Sequence, residues 1–333
     1  MTEGLTISEG RVQQTQEQFV RLQDELARVI VGHHEVIEGT LIALLCGGNV
    51  LLEGVPGLGK TLIVRCLSRT LGLNFSRIQF TPDLMPADIV GTNLVMEDES
   101  GRRYFEFSPG PIFAHLVLAD EINRATPKTQ AALLEAMQEQ AVTVGKKTYP
   151  LEAPFAVLAT QNPIEMEGTY PLPEAQVDRF FFKLYLRSPS VEQLEQIIRR
   201  NTSANELHAL QPQLSQGELL EAREFVEAFP IADPLCTYAA QLIQHTHPSC
   251  PSAPEPVKHY VAYGASPRAG ISLVAGAKAR AFLHGASNVR LEDLRAVYGL
   301  ALNHRVLLNF KAQSEGVEVE RVLESVLSQV KAL

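Results

Sequence analysis

The chain has 333 residues, 45% of them hydrophobic and 20% charged, and a net charge of −9. That composition supports a sizeable core and, by length, two domains. The acidic total argues against a general polyanion-binding surface, because phosphate contact needs clustered Lys and Arg. No stretch reaches the roughly 18 apolar residues of a membrane span. The opening MTEGLTISEGRVQQTQEQ has no basic segment leading into an apolar run. A cytoplasmic protein is expected, with Cys46, Cys66, Cys236 and Cys250 reduced.

Residues 11–29 read as an amphipathic helix, with Phe19, Leu22, Leu26 and Val29 on one face. VIVGHHEVIEG then makes a turn at Gly32 and enters an apolar helix that ends at Gly47-Gly48. NVLLE (49–53) reads as a short buried strand, followed at once by GVPGLGKT and a helix through LIVRCLSRTLG. Further strands are expected at FSRIQF (75–80), HLVLA (115–119), FAVLA (155–159) and FFFKLYL (180–186). Helical patterns separate most of them, so the sheet should be parallel and covered on both faces. Two hairpins, about 92–107 and 141–151, decorate it, the second with Lys146-Lys147 at its turn. From Ser188-Pro189 onward the pattern is helical, including a stretch through LEDLRAVYGLALNHRV. The expected division is an α/β core at 1–188 and a helical lid at 189–333.

Two motifs carry chemistry. Gly54-Val55-Pro56-Gly57-Leu58-Gly59-Lys60-Thr61 matches the P-loop pattern, in which glycines let backbone N–H groups face phosphates. Gly54, Pro56, Gly57, Leu58, Gly59, Lys60, Thr61 and Leu62 are the expected ATP contacts. Lys60 would reach the β- and γ-phosphates, the Thr61 hydroxyl would ligate Mg²⁺, and the following helix adds its positive end. The second motif is Leu116-Val117-Leu118-Ala119-Asp120-Glu121, a buried strand ending in two acids. Asp120 would hold Mg²⁺ directly or through water, and Glu121 would act as general base toward the attacking water. His245, His247 and Cys250, with His259 nearby, could hold a metal or form a proline-broken polar loop; no second ligand pair with zinc spacing accompanies them.

At this point the chain resembles the AAA+ ATPases, and within them the MoxR family. The resemblance rests on GVPGLGKT, FTPDLMPADIVG, SPGPIF, LADEINRATPKTQAALLEAMQE, ATQNP, YPLPEAQVDRF and GASPRA, in that order. It is similar also to magnesium chelatase ATPase subunits and replicative helicases, whose helix-2 insert and pre-sensor hairpin correspond to the two hairpins here. The resemblance implies an α/β P-loop NTPase core followed by an all-α lid. It implies roles for Asn162 as sensor 1, Arg179 as an arginine finger given to a neighbour, and Arg268 as the sensor 2 arginine. It places Val31 and Gly32 in the adenine pocket.

Plainer readings stand beside these roles. Asn162 before Pro163 could start a turn, Arg179 could pair with Asp178 or Glu174, Arg124 competes for the finger role, and Arg268 could cap a helix. The resemblance further implies a homo-oligomeric ring, a hexamer, with the nucleotide between core and lid and against the next subunit. It implies chaperone-like work on a protein client and a partner carrying a von Willebrand factor A domain. A chelatase-type motor and a nucleic-acid motor are the alternatives. Lys146-Lys147 favours the nucleic-acid motor; the acidic total opposes it.

Overall fold

Five short segments assemble into one parallel sheet: β1 (Val50–Glu53), β2 (Phe75–Gln79), β5 (Leu116–Asp120), β8 (Ala156–Gln161) and β9 (Phe182–Tyr185). Their order across the sheet is β2-β5-β8-β1-β9. In this computed structural model, residues 9–162, 168–200 and 210–331 are described. The three inner strands β1, β5 and β8 read as near-continuous apolar runs because both their faces are covered. Val50, Leu52, Leu116, Leu118, Ala156 and Leu158 belong to one apolar cluster. Their alternates Leu51, Val117, Ala119, Val157 and Ala159 belong to the other.

Helices α1 (Glu9–Val29), α2 (His34–Leu45) and α3 (Lys60–Thr70) pack into the first cluster. Short α4 (Pro86–Val90) and α5 (Pro127–Glu139) pack into the second. The two expected hairpins form separate two-stranded sheets outside the main one. They are β3 (Gly91–Glu97) with β4 (Arg103–Pro109), and β6 (Ala141–Val144) with β7 (Lys147–Pro150). They touch each other where the Phe107 and Tyr149 rings stack at 4.0 Å.

After the single turn α6 (Glu174–Val177) and β9, the chain is mostly helical. The helices are α7 (Val191–Arg200), α8 (Gln216–Glu227), α9 (Asp233–Gln244), α10 (Glu255–Tyr260), α11 (Pro267–Leu283), α12 (Leu291–Leu302), α13 (Phe310–Ser314) and α14 (Val319–Gln329). One small antiparallel pair interrupts them, β10 (Val261–Tyr263) with β11 (Leu307–Leu308). Strands of two or three residues are too short for an alternation to show in sequence. The expected helix through LALNHRV stops at Leu302, and Asn303, His304 and Arg305 turn inward, each nearly buried.

The first apolar cluster continues from the sheet into α8, α9, α11 and α12. Phe19 of α1 meets Phe282 of α11 edge-on, with ring centroids 6.0 Å apart. Gly276 of α11 sits so close to β9 that a Cβ there would lie 2.7 Å from Phe182 Cζ. Among the described residues no helix is long and apolar enough to cross a membrane.

Candidate active site

The P-loop begins where β1 ends. Gly57 and Gly59 take φ of +86° and +81°, a left-handed conformation that glycine adopts without a steric penalty. A Cβ on either would meet nothing within 4 Å, so the loop is an open cradle. Gly54 is the opposite case: a Cβ there would come within 2.9 Å of the Leu186 carbonyl oxygen. Pro56 is exposed and Leu58 half-buried beside the glycines. Gly59 caps α3 without a side-chain bond, leaving the first-turn N–H groups to point into the cradle.

Lys60 is nearly buried. Its Nζ donates to the Gly54 carbonyl at 2.5 Å and to the Gln161 carbonyl at 3.5 Å. Burial lowers its pKa, against the opposing fields of Asp120, Glu121 and Glu53. Thr61 is half-buried and Leu62 exposed on the same turn.

The acid pair is joined by a residue the motif reading did not single out. Thr160 Oγ1, fully buried, donates to Asp120 Oδ1 at 2.7 Å and accepts the Glu121 backbone N–H at 2.8 Å. Glu121 has a φ of +57°. A left-handed non-glycine backbone costs on the order of 1–3 kcal/mol, and such strain collects at functional sites. The Glu121 carboxylate accepts from Gln79 Nε2 at 2.9 Å and pairs with Arg124 Nε at 3.2 Å. Asp120 pairs with Arg77 Nη2 at 2.6 Å. Gln79 faces Asp120 across the β2–β5 ladder, so knowing the strand register would have pointed to it. Asn162, 5% exposed, directly follows β8. Thus Gly54, Asp120 and Asn162 converge at the carboxyl ends of three neighbouring strands, where open α/β sheets bind ligands.

These residues suit a nucleotide with Mg²⁺: an open backbone cradle, one buried cation, a hydroxyl at Thr61 and a carboxylate at Asp120. Val31 and Gly32 lie at the same end of the sheet. Gly32, with φ of +72°, packs under Gln193 of α7, the helix reached from the carboxyl end of β9.

Arg179 and Arg268 are at the other end. Phe181 N–H donates to the Asn49 carbonyl, just before β1, so the segment carrying Arg179 precedes the amino ends of β1 and β9. A strand of four residues separates the two ends by about 13 Å. Arg179 is exposed, and among the described residues nothing pairs with its guanidinium. Asp178 is taken instead by Arg268 at 3.1 Å and Arg305 at 3.0 Å. Arg268 and Arg179 together line one cavity of about 330 Å³, which Cys46, Gly47 and Asn49 also line. Arg124, the competing finger candidate, is engaged with Glu121 of its own chain.

The histidine segment has ordinary partners. His245 Nδ1 lies 2.7 Å from the Gln241 carbonyl, and His247 Nε2 lies 3.0 Å from the Ala265 carbonyl. Among the described residues no group of three His, Cys, Asp or Glu has metal-holding geometry.

Comparison with known proteins adds the family. Residues 49–182 match the model of the ATPase family associated with various cellular activities, and residues 255–326 match the AAA lid domain. The chain is 43% identical to Chaperone MoxR1 of Mycobacterium tuberculosis, over 92% of this chain and 80% of that one. It is 31% identical to Protein MoxR of Methylorubrum extorquens, covering 86% and 87% of the two chains. The crystal structure of a putative ATPase from Cytophaga hutchinsonii superposes with a TM-score of 0.91 at 42% identity, covering 98% of both chains.

Proposed function

Since the chain belongs to the MoxR family of AAA+ ATPases, we propose that it hydrolyses ATP with Mg²⁺, works as a homo-oligomeric ring, a hexamer, and remodels or matures partner protein complexes. The observation that carries the enzymatic part is the open P-loop cradle facing an acid pair locked by one buried hydroxyl. In this reading Gly57, Gly59 and the first N–H groups of α3 hold the phosphates, and Lys60 neutralises their charge at close range. Thr61 and Asp120 hold Mg²⁺, which when bound offsets the negative charge of the phosphates. Glu121 takes the proton of the attacking water, and Asn162 orients that water or the γ-phosphate. Gln79 and Arg124 hold the Glu121 carboxylate meanwhile. Val31 and Gly32 contribute to the adenine pocket.

Arg179 and Arg268 lie at the far end of the sheet from their own cradle. Both therefore serve the neighbouring subunit's ATP, where their positive charge offsets that building on the γ-phosphate. The remodelling role is supported by the relative named as a chaperone. Two exposed features suit client contact: Val95 and Phe105 on the β3–β4 hairpin, and Lys146 and Lys147 at the turn of β6–β7. A partner with a von Willebrand factor A domain is part of the same reading. The lysine turn is also what a nucleic-acid motor would use, so turnover is measured with and without DNA; stimulation by DNA would favour that alternative.

The direct test is Glu121→Gln. It preserves shape and removes basicity, so nucleotide binding should persist while kcat falls by roughly 10²–10⁴. Unchanged turnover would mean that another group activates the water.

A further inference from the structure

Resting on that reading of Arg179, we infer that Asn303-His304-Arg305, at the end of α12, is a clamp from the lid that sets where the finger points. Arg305 and Asp178 are its positioning residues. Arg305 Nε donates to Asp178 Oδ1 at 3.0 Å. Its Nη2 donates to the Asp178 carbonyl at 3.0 Å and the Phe180 carbonyl at 2.6 Å. Its Nη1 donates to the Phe181 carbonyl at 3.2 Å and to Ala301 of its own helix at 2.7 Å. A guanidinium has five N–H donors, and all five are used. His304 Nε2 meets the Phe180 carbonyl at 3.0 Å, and Asn303 Nδ2 donates to the Lys183 carbonyl at 3.0 Å.

The side chains of three consecutive lid residues thus bind the backbone on both sides of Arg179, while the Arg179 side chain stays exposed. Asp178 closes the arrangement: it also accepts from Ser266 Oγ at 2.8 Å and pairs with Arg268, both at the start of α11.

This is an expensive way to hold two elements together if stability were the only return. A buried ion pair contributes little net stability over apolar packing, and its better-supported use is to select one geometry. Here the geometry selected is that of a short irregular segment between α6 and β9, which meets the sheet through the Phe181 N–H bond to the Asn49 carbonyl and pairs in register from Phe182 onward. Clamped in this way, the finger moves with the lid as one body. A change of lid position then reaches the neighbour's nucleotide through Arg179, with no further joint between them.

The test uses Arg305→Lys, which keeps the charge but cannot reproduce the planar fork, and Asp178→Asn, which keeps the shape and removes the charge. Both are compared with Arg179→Ala in rings of the full chain. Turnover should fall roughly 10- to 100-fold, the scale of a displacement of about 1 Å in a catalytic group. Nucleotide affinity should stay within about twofold of wild type, because the cradle is untouched. Mixing either variant with Lys60→Ala should restore part of the activity, since an intact clamp and finger then face an intact cradle. A clamp that only supports the fold would lower the unfolding midpoint without that rescue, and this outcome overturns the inference. Should Arg305→Lys not fold, Asp178→Asn decides alone. Wild-type turnover in the folded variants, with Arg179→Ala inactive, removes the clamp and leaves the finger reading standing. Wild-type turnover in Arg179→Ala removes the finger reading itself.

Discussion

Thr160 is a small residue with an outsized part in the site, because one hydroxyl serves two acids. Its proton goes to Asp120, and its lone pair takes the N–H that Glu121 presents from a left-handed backbone. Thr160→Val keeps the volume and strands both groups in a buried position. An unsatisfied buried polar group costs about 1–3 kcal/mol, so the unfolding free energy should drop by that order, and kcat should fall about tenfold as Glu121 loses its anchor. Denaturant unfolding and steady-state turnover check the two effects separately. His304 gives a prediction in pH. Burial, with Arg305 beside it, pushes its pKa down to about 3 from 6.5. Lys183 acts in the same direction; the Phe180 carbonyl and Asp178 oppose it. The folded protein therefore keeps this ring neutral while the unfolded chain protonates it. Its contribution is present above pH 6.5 and is lost as pH falls toward 3, amounting to about 2 kcal/mol by pH 5. In His304→Gln, stability between pH 8 and pH 5 should fall less than in wild type by about that amount. Equal pH slopes in the two proteins would show that His304 is not held neutral.

At the scale of elements, two glycines in neighbouring helices make opposite predictions. Both lie inside helices, where glycine costs roughly 0.5–1 kcal/mol relative to alanine. A Cβ at Gly299 of α12 meets nothing within 4 Å, so Gly299→Ala should stabilise the protein by about that much. At Gly276 of α11 the new Cβ would meet Phe182, which is fully buried and lies against the Phe181 ring at 4.6 Å. Overpacking of this kind costs about 1–3 kcal/mol and outweighs the helix gain, so Gly276→Ala should lower the urea midpoint while Gly299→Ala raises it. If Gly276→Ala were also stabilising, α11 would not press on β9 as closely as described. The hairpins were readable at this scale because alternation and turn residues are local signals. The β10–β11 pair was not, since its two strands are short and far apart in the chain.

For the whole molecule, the placement of Arg179 sets a test of assembly. If Arg179 is the proposed finger, its place at the amino end of the sheet keeps it from the cradle at the carboxyl end of the same chain, so a lone subunit should hydrolyse ATP poorly. Arg179→Ala should bind ATP and turn over slowly, with an effect up to about 10³–10⁵ in the best-measured trans arginines. Lys60→Ala should fail at binding. Mixed, the two should recover activity, because some interfaces then pair one intact cradle with one intact finger. Mixed rings verified by mass that stay inactive would place the action of Arg179 within its own chain.

Taken alone, the sequence determined the P-loop, the acid pair that follows β5, the parallel sheet and the two hairpins. Each depends on residues adjacent in the chain or on a short period, and backbone geometry translates those directly into position. Residues 49–182 carry most of that local signal, and they are what the ATPase family model matches. The tertiary structure alone decided which groups surround the acids: Gln79, Arg77 and Thr160 reach them through the register of β2, β5 and β8. It alone placed Arg268 beside Arg179, on Asp178, at the end of the sheet away from the P-loop. It also turned Asn303, His304 and Arg305 out of the expected helix and onto the segment that carries Arg179. Pairings between distant segments are set by how whole elements pack, and no spacing within the chain encodes that.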